Sequence, residues 1–358
     1  MSSLNSLDGR VWAEIDLSAL EYNARRIKSA IGGAMHMAVV KANAYGHGAV
    51  KAAQRLGRCG ADWLAVACLS EALELRQNGI KLPILIMGCT PAEHADMLAD
   101  NGIAQAVFDL EYAKALSGHL TKNLRVHIKV NSGMNRLGVT TAREVSEIAR
   151  LRHFIPEGIF THLAEADKPG FTGEQIAAFK NILKLVDINF QITHCANSQG
   201  MLYCKESLFD MARTGIVMYG AEGDPSYKPV MRVCARIAQI SRIGAGQAVG
   251  YGRAFTAKSD MKIAVVGAGY ADGYPRSLSN RGLVDCNGAL APVIGRVCMD
   301  MFMADVSAIP NAKAGDTVTL FGSETLSAVR AAELAGTISY ELLCAVGGRV
   351  PRIYLSDK

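Results

Sequence analysis

The stretch Ala38-Val39-Val40-Lys41-Ala42-Asn43-Ala44-Tyr45-Gly46-His47-Gly48 holds the densest structural and chemical information in the chain. An apolar run that reads as a buried strand stops at a lone lysine, and a loop with a tyrosine and two glycines follows. A lysine at the C-terminal end of a buried strand is partly desolvated. That lowers its pKa and makes the amine available for Schiff-base chemistry with a carbonyl. Glycines beside it let the backbone approach a ligand closely. Taken alone, such a lysine is more often an exposed strand-end cation, so the surrounding chain has to decide.

Outward from this stretch the same texture repeats. Strand-like apolar runs occur at 36–40, 63–67, 84–87, 105–108, 125–130, 158–162, 190–194 and 208–212, and helix-period segments such as 70–78, 91–101, 142–152 and 173–186 separate several of them. About eight β–α units in roughly 185 residues imply a parallel sheet, and that number suggests a closed (β/α)₈ TIM-type barrel. No GxGxxG follows the first strand, which speaks against an open doubly wound sheet. After about Pro229 the pattern changes to strands at 233–243, 262–267, 291–294, 302–306 and 317–321, with turn residues between them and little helix. The fold class is therefore α/β, with a second, mostly β C-terminal domain. The expected division is a barrel over 17–225 and a β domain over 226–358, joined by the N-terminal strand 11–16, with a linker at 220–229.

Composition narrows the function classes. Half of the 358 residues are hydrophobic and 20% are charged, an ordinary globular balance with material for two domains. A net charge of +5 without a basic block or aromatic-basic alternation argues against nucleic acid and suits an anionic small ligand. Nine scattered cysteines show no CxxC pair and no Cys/His ligand spacing, so free thiols in a reducing compartment, and no metal, are expected. With no apolar leader and no run of about 18 apolar residues, neither secretion nor a membrane span is expected, and the cytoplasm is the default.

In a barrel of this type, reactive groups lie at the C-terminal ends of the strands. Lys41, Arg136, His162, Ser198, Arg213 and Gly215 all fall there. The loops after the last two strands are a frequent phosphate cradle of the fold, with Ser198 offering its hydroxyl and Gly215 its N–H. Each residue also has a plain structural role open to it: Ser198 as a helix cap, His162 in the core, Arg136 and Arg213 in surface ion pairs. A lysine for an aldehyde and a phosphate cup at one barrel mouth describe a site for pyridoxal phosphate (PLP). Schiff-base aldolases share both features, and at this point both readings stand.

The eleven-residue stretch resembles the PLP-lysine segment of bacterial alanine racemases almost residue for residue. Further blocks resemble that family in order along nearly the whole chain. They include Lys129-Val130-Asn131-Ser132-Gly133-Met134-Asn135-Arg136, Thr161-His162-Leu163, His194-Cys195-Ala196-Asn197-Ser198 and Arg213-Thr214-Gly215-Ile216. In the second domain they are Gly250-Tyr251-Gly252-Arg253, Gly269-Tyr270-Ala271-Asp272-Gly273-Tyr274, Gly295-Arg296-Val297-Cys298-Met299-Asp300 and Ile338-Ser339-Tyr340-Glu341.

The resemblance implies a PLP enzyme that interconverts L- and D-alanine by a two-base mechanism and supplies D-alanine for peptidoglycan. It implies that Lys41 holds PLP as an aldimine and serves one face of the substrate. Tyr251, from the partner of a homodimer with shared sites, is the opposite base. Arg213 faces the pyridine nitrogen, and His162 links Arg213 to Tyr251. Tyr45, Ser198, Gly215, Ile216 and Tyr340 hold the phosphate. Arg136 contacts the cofactor phenolic oxygen and the substrate carboxylate, with the Met299 N–H joining from the second subunit. Tyr270 lines the entrance, and Lys129 matches a lysine that family members often carry as a carbamate. Asn131-Ser132 stands where many members have Asp-Thr, and Thr214 where Pro is common. The other functions considered are a serine or broad-specificity racemase, a non-catalytic PLP-binding barrel and a PLP decarboxylase. The last would place an acid, not Arg213, at the pyridine nitrogen.

Overall fold

The computed structural model describes residues 9–355. The chain divides into two compact units. One comprises Asn23–Ala44 and Ala49–Met218; the other comprises the described residues up to Tyr22, Tyr45–Gly48, and those from Tyr219 onward.

The first unit is a closed barrel of eight parallel strands: β2 (Met35–Val39), β3 (Trp63–Val66), β4 (Ile84–Ile86), β5 (Ile103–Val107), β6 (Leu124–Lys129), β7 (Phe154–Phe160), β8 (Ile192–His194) and β9 (Met211–Thr214). β2 closes the ring on β9 in the register Met37↔Arg213 and Ala38↔Thr214. Helices on one side and packed side chains on the other bury both faces, so β3, β4 and β5 are buried at every position. The helices are stopped by local chemistry. Thr141 and Glu144 form a capping box before Ala142–Ala149, and Asp109 caps Leu110–His119. Polar side chains inside this apolar wall are few and must be satisfied. Gln105 donates to the Gly88 and Ala106 carbonyls and accepts from Thr90.

Strand ends shift where the sequence pattern is weakest. The run 208–212 reads as the last barrel strand, but a 3₁₀ turn occupies Lys205–Ser207 and β9 covers Met211–Thr214. Arg213 therefore lies inside β9 rather than after it. β7 stops at Phe160, so His162 stands two residues beyond its strand.

The second unit is built on an eight-stranded sheet. β1 (Val11–Asp16) runs antiparallel to β10 (Met231–Ile243) and parallel to Arg352–Leu355. Two strands that the sequence pattern hides are Leu283–Cys286 and Arg352–Leu355. The first pairs with Ala289–Ile294 through an Asn287-Gly288 turn with both residues at positive φ, the usual geometry of a tight hairpin. The unit also carries helices at Ala328–Ala335 and Ser339–Cys344, so it holds more helix than its composition suggests. Among the described residues, no helix is long and apolar enough to cross a membrane.

Candidate active site

Lys41 follows β2 by two residues and opens a turn of the wrong hand. Ala42, Asn43 and Ala44 have φ/ψ near +51/+52, +53/+45 and +54/+51, and Tyr45 continues at φ +53. Each such L-residue costs about 1–2 kcal/mol, so the surroundings must hold the turn. Glu71 does so from one side, its two oxygens accepting from Ala42 N at 2.6 Å and Ala67 N at 2.7 Å. Asn43 caps the next helix by accepting from Ala49 N at 2.8 Å. In the other unit, Gly46 sits at φ +82 with its backbone against Leu343, where a Cβ would lie 2.4 Å from the carbonyl oxygen. The left-handed turn thus sets where the Lys41 stem begins.

The barrel unit gathers the other residues of the candidate site at its C-terminal end. Arg213 is buried and cationic, burial lowering its guanidinium only to about 10. Its Nη2 donates to the Thr161 carbonyl at 2.8 Å, to the Cys195 carbonyl at 3.0 Å and to His162 Nδ1 at 3.1 Å, and its Nη1 donates to His194 Nδ1 at 2.9 Å. His162 is therefore an acceptor at Nδ1. Burial, then the Arg213 charge, push its pKa well below the usual range, so it is neutral with its proton on Nε2. Ser198 is buried, and its hydroxyl accepts from Gly215 N at 3.0 Å, drawing together the loops after β8 and β9. Ile216 is fully buried beside them.

Lys129, at the end of β6, is pushed down to about 8 by burial and then by the charges of Arg136, Arg213 and Lys41. Four cations acting on one another at one barrel mouth suit an anionic ligand. Arg136 itself is exposed on the loop after β6. Asn131 builds that loop: its side-chain oxygen accepts from Gly133 N at 3.2 Å and Asn135 N at 2.9 Å, a turn an aspartate would also make. Thr214 gives its hydroxyl to a buried pair with His36 Nε2 at 2.7 Å, a partner that proline would not offer.

The second unit carries the tyrosines. Tyr45 packs on Tyr219 and Tyr340, with ring centroids at 5.0 and 6.1 Å. Burial raises the pKa of both Tyr45 and Tyr340, so both hydroxyls stay protonated donors, and Tyr340 reaches Glu222 at 3.3 Å. Tyr251 is 72% exposed, Met299 53% and Tyr270 43%.

Tyr270 and Met299 travel together. Tyr270 N donates to the Cys298 carbonyl at 3.0 Å and Ala271 N to the Met299 carbonyl at 3.1 Å. Asp272, almost fully buried, accepts from Gly269 N and from both Arg10 and Arg349, and Arg349 also grips Asp300. Tyr251 stands on the 3₁₀ turn Tyr251–Arg253, where Gly250 and Gly252 approach Arg296, three residues before Met299. His194, His127, Glu157 and Asp272 carry no role that the linear sequence suggests. The first three do share a signal, namely charged or polar residues inside otherwise apolar barrel strands.

The alanine racemase N-terminal domain model matches residues 15–223 and the C-terminal domain model residues 230–354. An alanine racemase of Desulfovibrio desulfuricans is 42% identical over 368 residues, covering 98% of this chain and 99% of that protein. Alanine racemase 1 of Clostridium acetobutylicum is 39% identical, covering 97% of this chain and 96% of its own length. Among solved structures, an alanine racemase of Clostridium difficile 630 superposes with a TM-score of 0.92 at 35% identity, covering 98% of this chain and 96% of that one. A Bacillus anthracis alanine racemase with bound L-Ala-P superposes with a TM-score of 0.91 at 33% identity, covering 97% and 95%. Matched in both halves and aligned end to end with such relatives, the chain belongs to the alanine racemase family.

Proposed function

We propose that this chain is an alanine racemase, interconverting L- and D-alanine with PLP and supplying D-alanine for peptidoglycan. The observation that carries the reading is the pairing of β2 with β9, which puts Lys41 and the buried Arg213 on neighbouring strand ends. The donors present fit PLP: protonated hydroxyls on Tyr45 and Tyr340, the Ser198 hydroxyl, the Ile216 N–H and, once it exchanges Ser198 Oγ for the ligand, the Gly215 N–H for its phosphate, and the Lys41 amine for its aldehyde. When bound, PLP supplies an electron sink for the pair left behind as the substrate Cα loses its proton.

The chain's own groups do the rest. Lys41 moves the proton on one face of Cα, and Tyr251 of the partner subunit moves it on the other, so nothing has to turn over between the two transfers. Arg136 and the Met299 N–H of the partner subunit hold the carboxylate, and Tyr270 lines the way in. Arg213 uses Nη1 and Nη2 inside the barrel wall, which leaves its Nε edge for the ring nitrogen. With PLP bound, that edge would offer the ring nitrogen a hydrogen bond without surrendering a proton, because a guanidinium stays charged. His162, with its proton on Nε2, passes a donor from Arg213 toward the tyrosine base.

A racemisation panel with both enantiomers of several amino acids tests the reading. Alanine should react fastest from either hand, with serine slower by no more than about 10²-fold, because apolar pockets reject an added hydroxyl poorly. No turnover of alanine, or faster turnover of a cationic amino acid, sinks it.

Lys129 completes the site as a carbamate. An amine pushed down to about 8 is substantially neutral near that pH. It adds carbon dioxide and releases one proton, and the product is an anion beside Arg136. Raising the pH toward 8 increases the reactive form, because deprotonation precedes addition. In ¹³C-bicarbonate the protein should show a carbamate carbon that is absent from Lys129→Ala; an identical signal in both proteins removes the assignment.

A further inference from the structure

Behind Arg213 runs a buried line of side chains that the proposed proton transfers do not touch. Arg213 Nη1 meets His194 Nδ1 at 2.9 Å, His194 Nε2 meets His127 Nδ1 at 2.8 Å, and His127 Nε2 faces Glu157 Oε2 at 3.4 Å. Both imidazoles have zero exposure. Neither His127 Nε2 nor Glu157 Oε2 makes a hydrogen bond among the described residues, so each is a buried polar atom whose nearest complement is the other.

Donor and acceptor roles along this line follow from its first member. A guanidinium only donates, so His194 Nδ1 must accept. Burial, then the Arg213 charge, hold His194 well below its ordinary pKa and therefore neutral. A neutral imidazole with a bare Nδ1 carries its proton on Nε2. That proton points at His127 Nδ1, which must be bare in turn. His127, also lowered by burial, then carries its proton on Nε2 and presents it to Glu157. Burial pushes the Glu157 carboxyl up, but His127 and Arg125 more than offset this and leave it below its ordinary value. The line thus runs from a fixed cation through two hydrogen bonds to a facing carboxylate, with every donor pointed in the same sense.

The wall around the line is shaped for it. Gly158 would place a Cβ 2.3 Å from His127 Nδ1, so no larger residue leaves room for the ring. Trp63 meets the edge of His127 at 5.2 Å, and Phe160 stacks on His194 at 4.7 Å. Arg125 approaches the other Glu157 oxygen at 3.4 Å.

We propose that Glu157 is a positioning residue for Arg213, selecting the one series of His127 and His194 tautomers in which Arg213 meets an acceptor. Without the carboxylate, the His127 proton is free to sit on Nδ1. His194 Nε2 then becomes the acceptor, and an N–H at His194 Nδ1 opposes the Arg213 Nη1–H. The guanidinium would be pushed from its bearing on the ring nitrogen, so the catalytic part of the inference rests on the assignment of Arg213 given above.

The test is ¹⁵N NMR of histidine-labelled holoenzyme at neutral pH, on the wild type and on Glu157→Gln and Glu157→Ala, repeated on the cofactor-free protein. In the wild type His127 and His194 should both be protonated at Nε2. In the variants a share of His127 should move its proton to Nδ1, with or without cofactor. The kcat for alanine should fall about tenfold, as for loss of one charge-assisted hydrogen bond, while KM changes by less than about twofold. Nδ1 protonation of His127 in the wild type overturns the proposal. So do nitrogen signals unchanged in both variants, whatever happens to the rate. The Gln variant keeps the side chain's size, and the wild-type spectrum decides the tautomers even if a variant folds poorly. A protein that racemises nothing would defeat the reading of the site while leaving the nitrogen signals to judge the relay.

Discussion

Lys41→Ala is expected to abolish racemisation of both alanine enantiomers, with a loss exceeding about 10⁴-fold. In the proposed mechanism one amine serves as the covalent tether and as one of the two bases. General acid–base groups alone contribute about 10²- to 10⁴-fold, and covalent catalysis adds to that. The visible absorbance of covalently held cofactor should vanish with the activity. The fold should survive, because Lys41 is only half-buried and Glu71 and Asn43 hold the turn it opens. Near-normal racemisation by this variant, without added small amines, would remove Lys41 from the mechanism.

Tyr251→Phe should lower kcat by about 10²- to 10⁴-fold while cofactor binding changes little, because the ring stays and only the proton carrier leaves. Exchange of the Cα proton with deuterated solvent should become face-selective, since Lys41 still works on its own side. Tyr270→Phe should cost far less. A greater loss at Tyr270 would mean that the entrance residue and the base have been exchanged.

The exposure of Tyr251 and Met299 fits groups that serve a second copy of the chain. Lys41→Ala and Tyr251→Phe, each inactive, should then complement on co-refolding. A mixed dimer holds one site with both defects and one with neither. Random mixing makes about half the dimers mixed, so about a quarter of wild-type activity should return. Mixed dimers without activity would place the whole site within one chain.

The barrel is legible because its strands are short, apolar on both faces and spaced by helical periods. Lys41, Ser198 and Gly215 stand out in the sequence as candidates because strand ends on such a barrel are where chemistry gathers. What escapes a linear reading depends on register and depth. The placement of Arg213 inside β9 follows from its pairing with β2, which no local pattern announces. The left-handed turn after Lys41 uses alanines and an asparagine that local preference would wind the other way, and it takes Glu71, thirty residues on in sequence, to hold it. His127 and Glu157 look like ordinary strand residues until β6, β7 and β8 lie side by side and carry their side chains into line with Arg213. Arg352–Leu355 alternates half-buried and exposed residues and becomes a strand only because β1 is there to receive it.

The clamp on Asp272 has a consequence for synthesis on the ribosome. The carboxylate sits beneath the loops that bear Tyr270 and Met299, and its two arginines, residues 10 and 349, are far apart in sequence. A nascent polypeptide can complete the barrel long before the second arginine has emerged. Until it does, the buried carboxylate is only half neutralised, and Asp300 lacks its tie to the same plate. A chain that stops short of Arg349 would therefore carry a finished barrel but an unfastened tyrosine plate. The plate that bears Tyr270 and Met299 is thus fastened only after residue 349 has been made, later than any barrel strand.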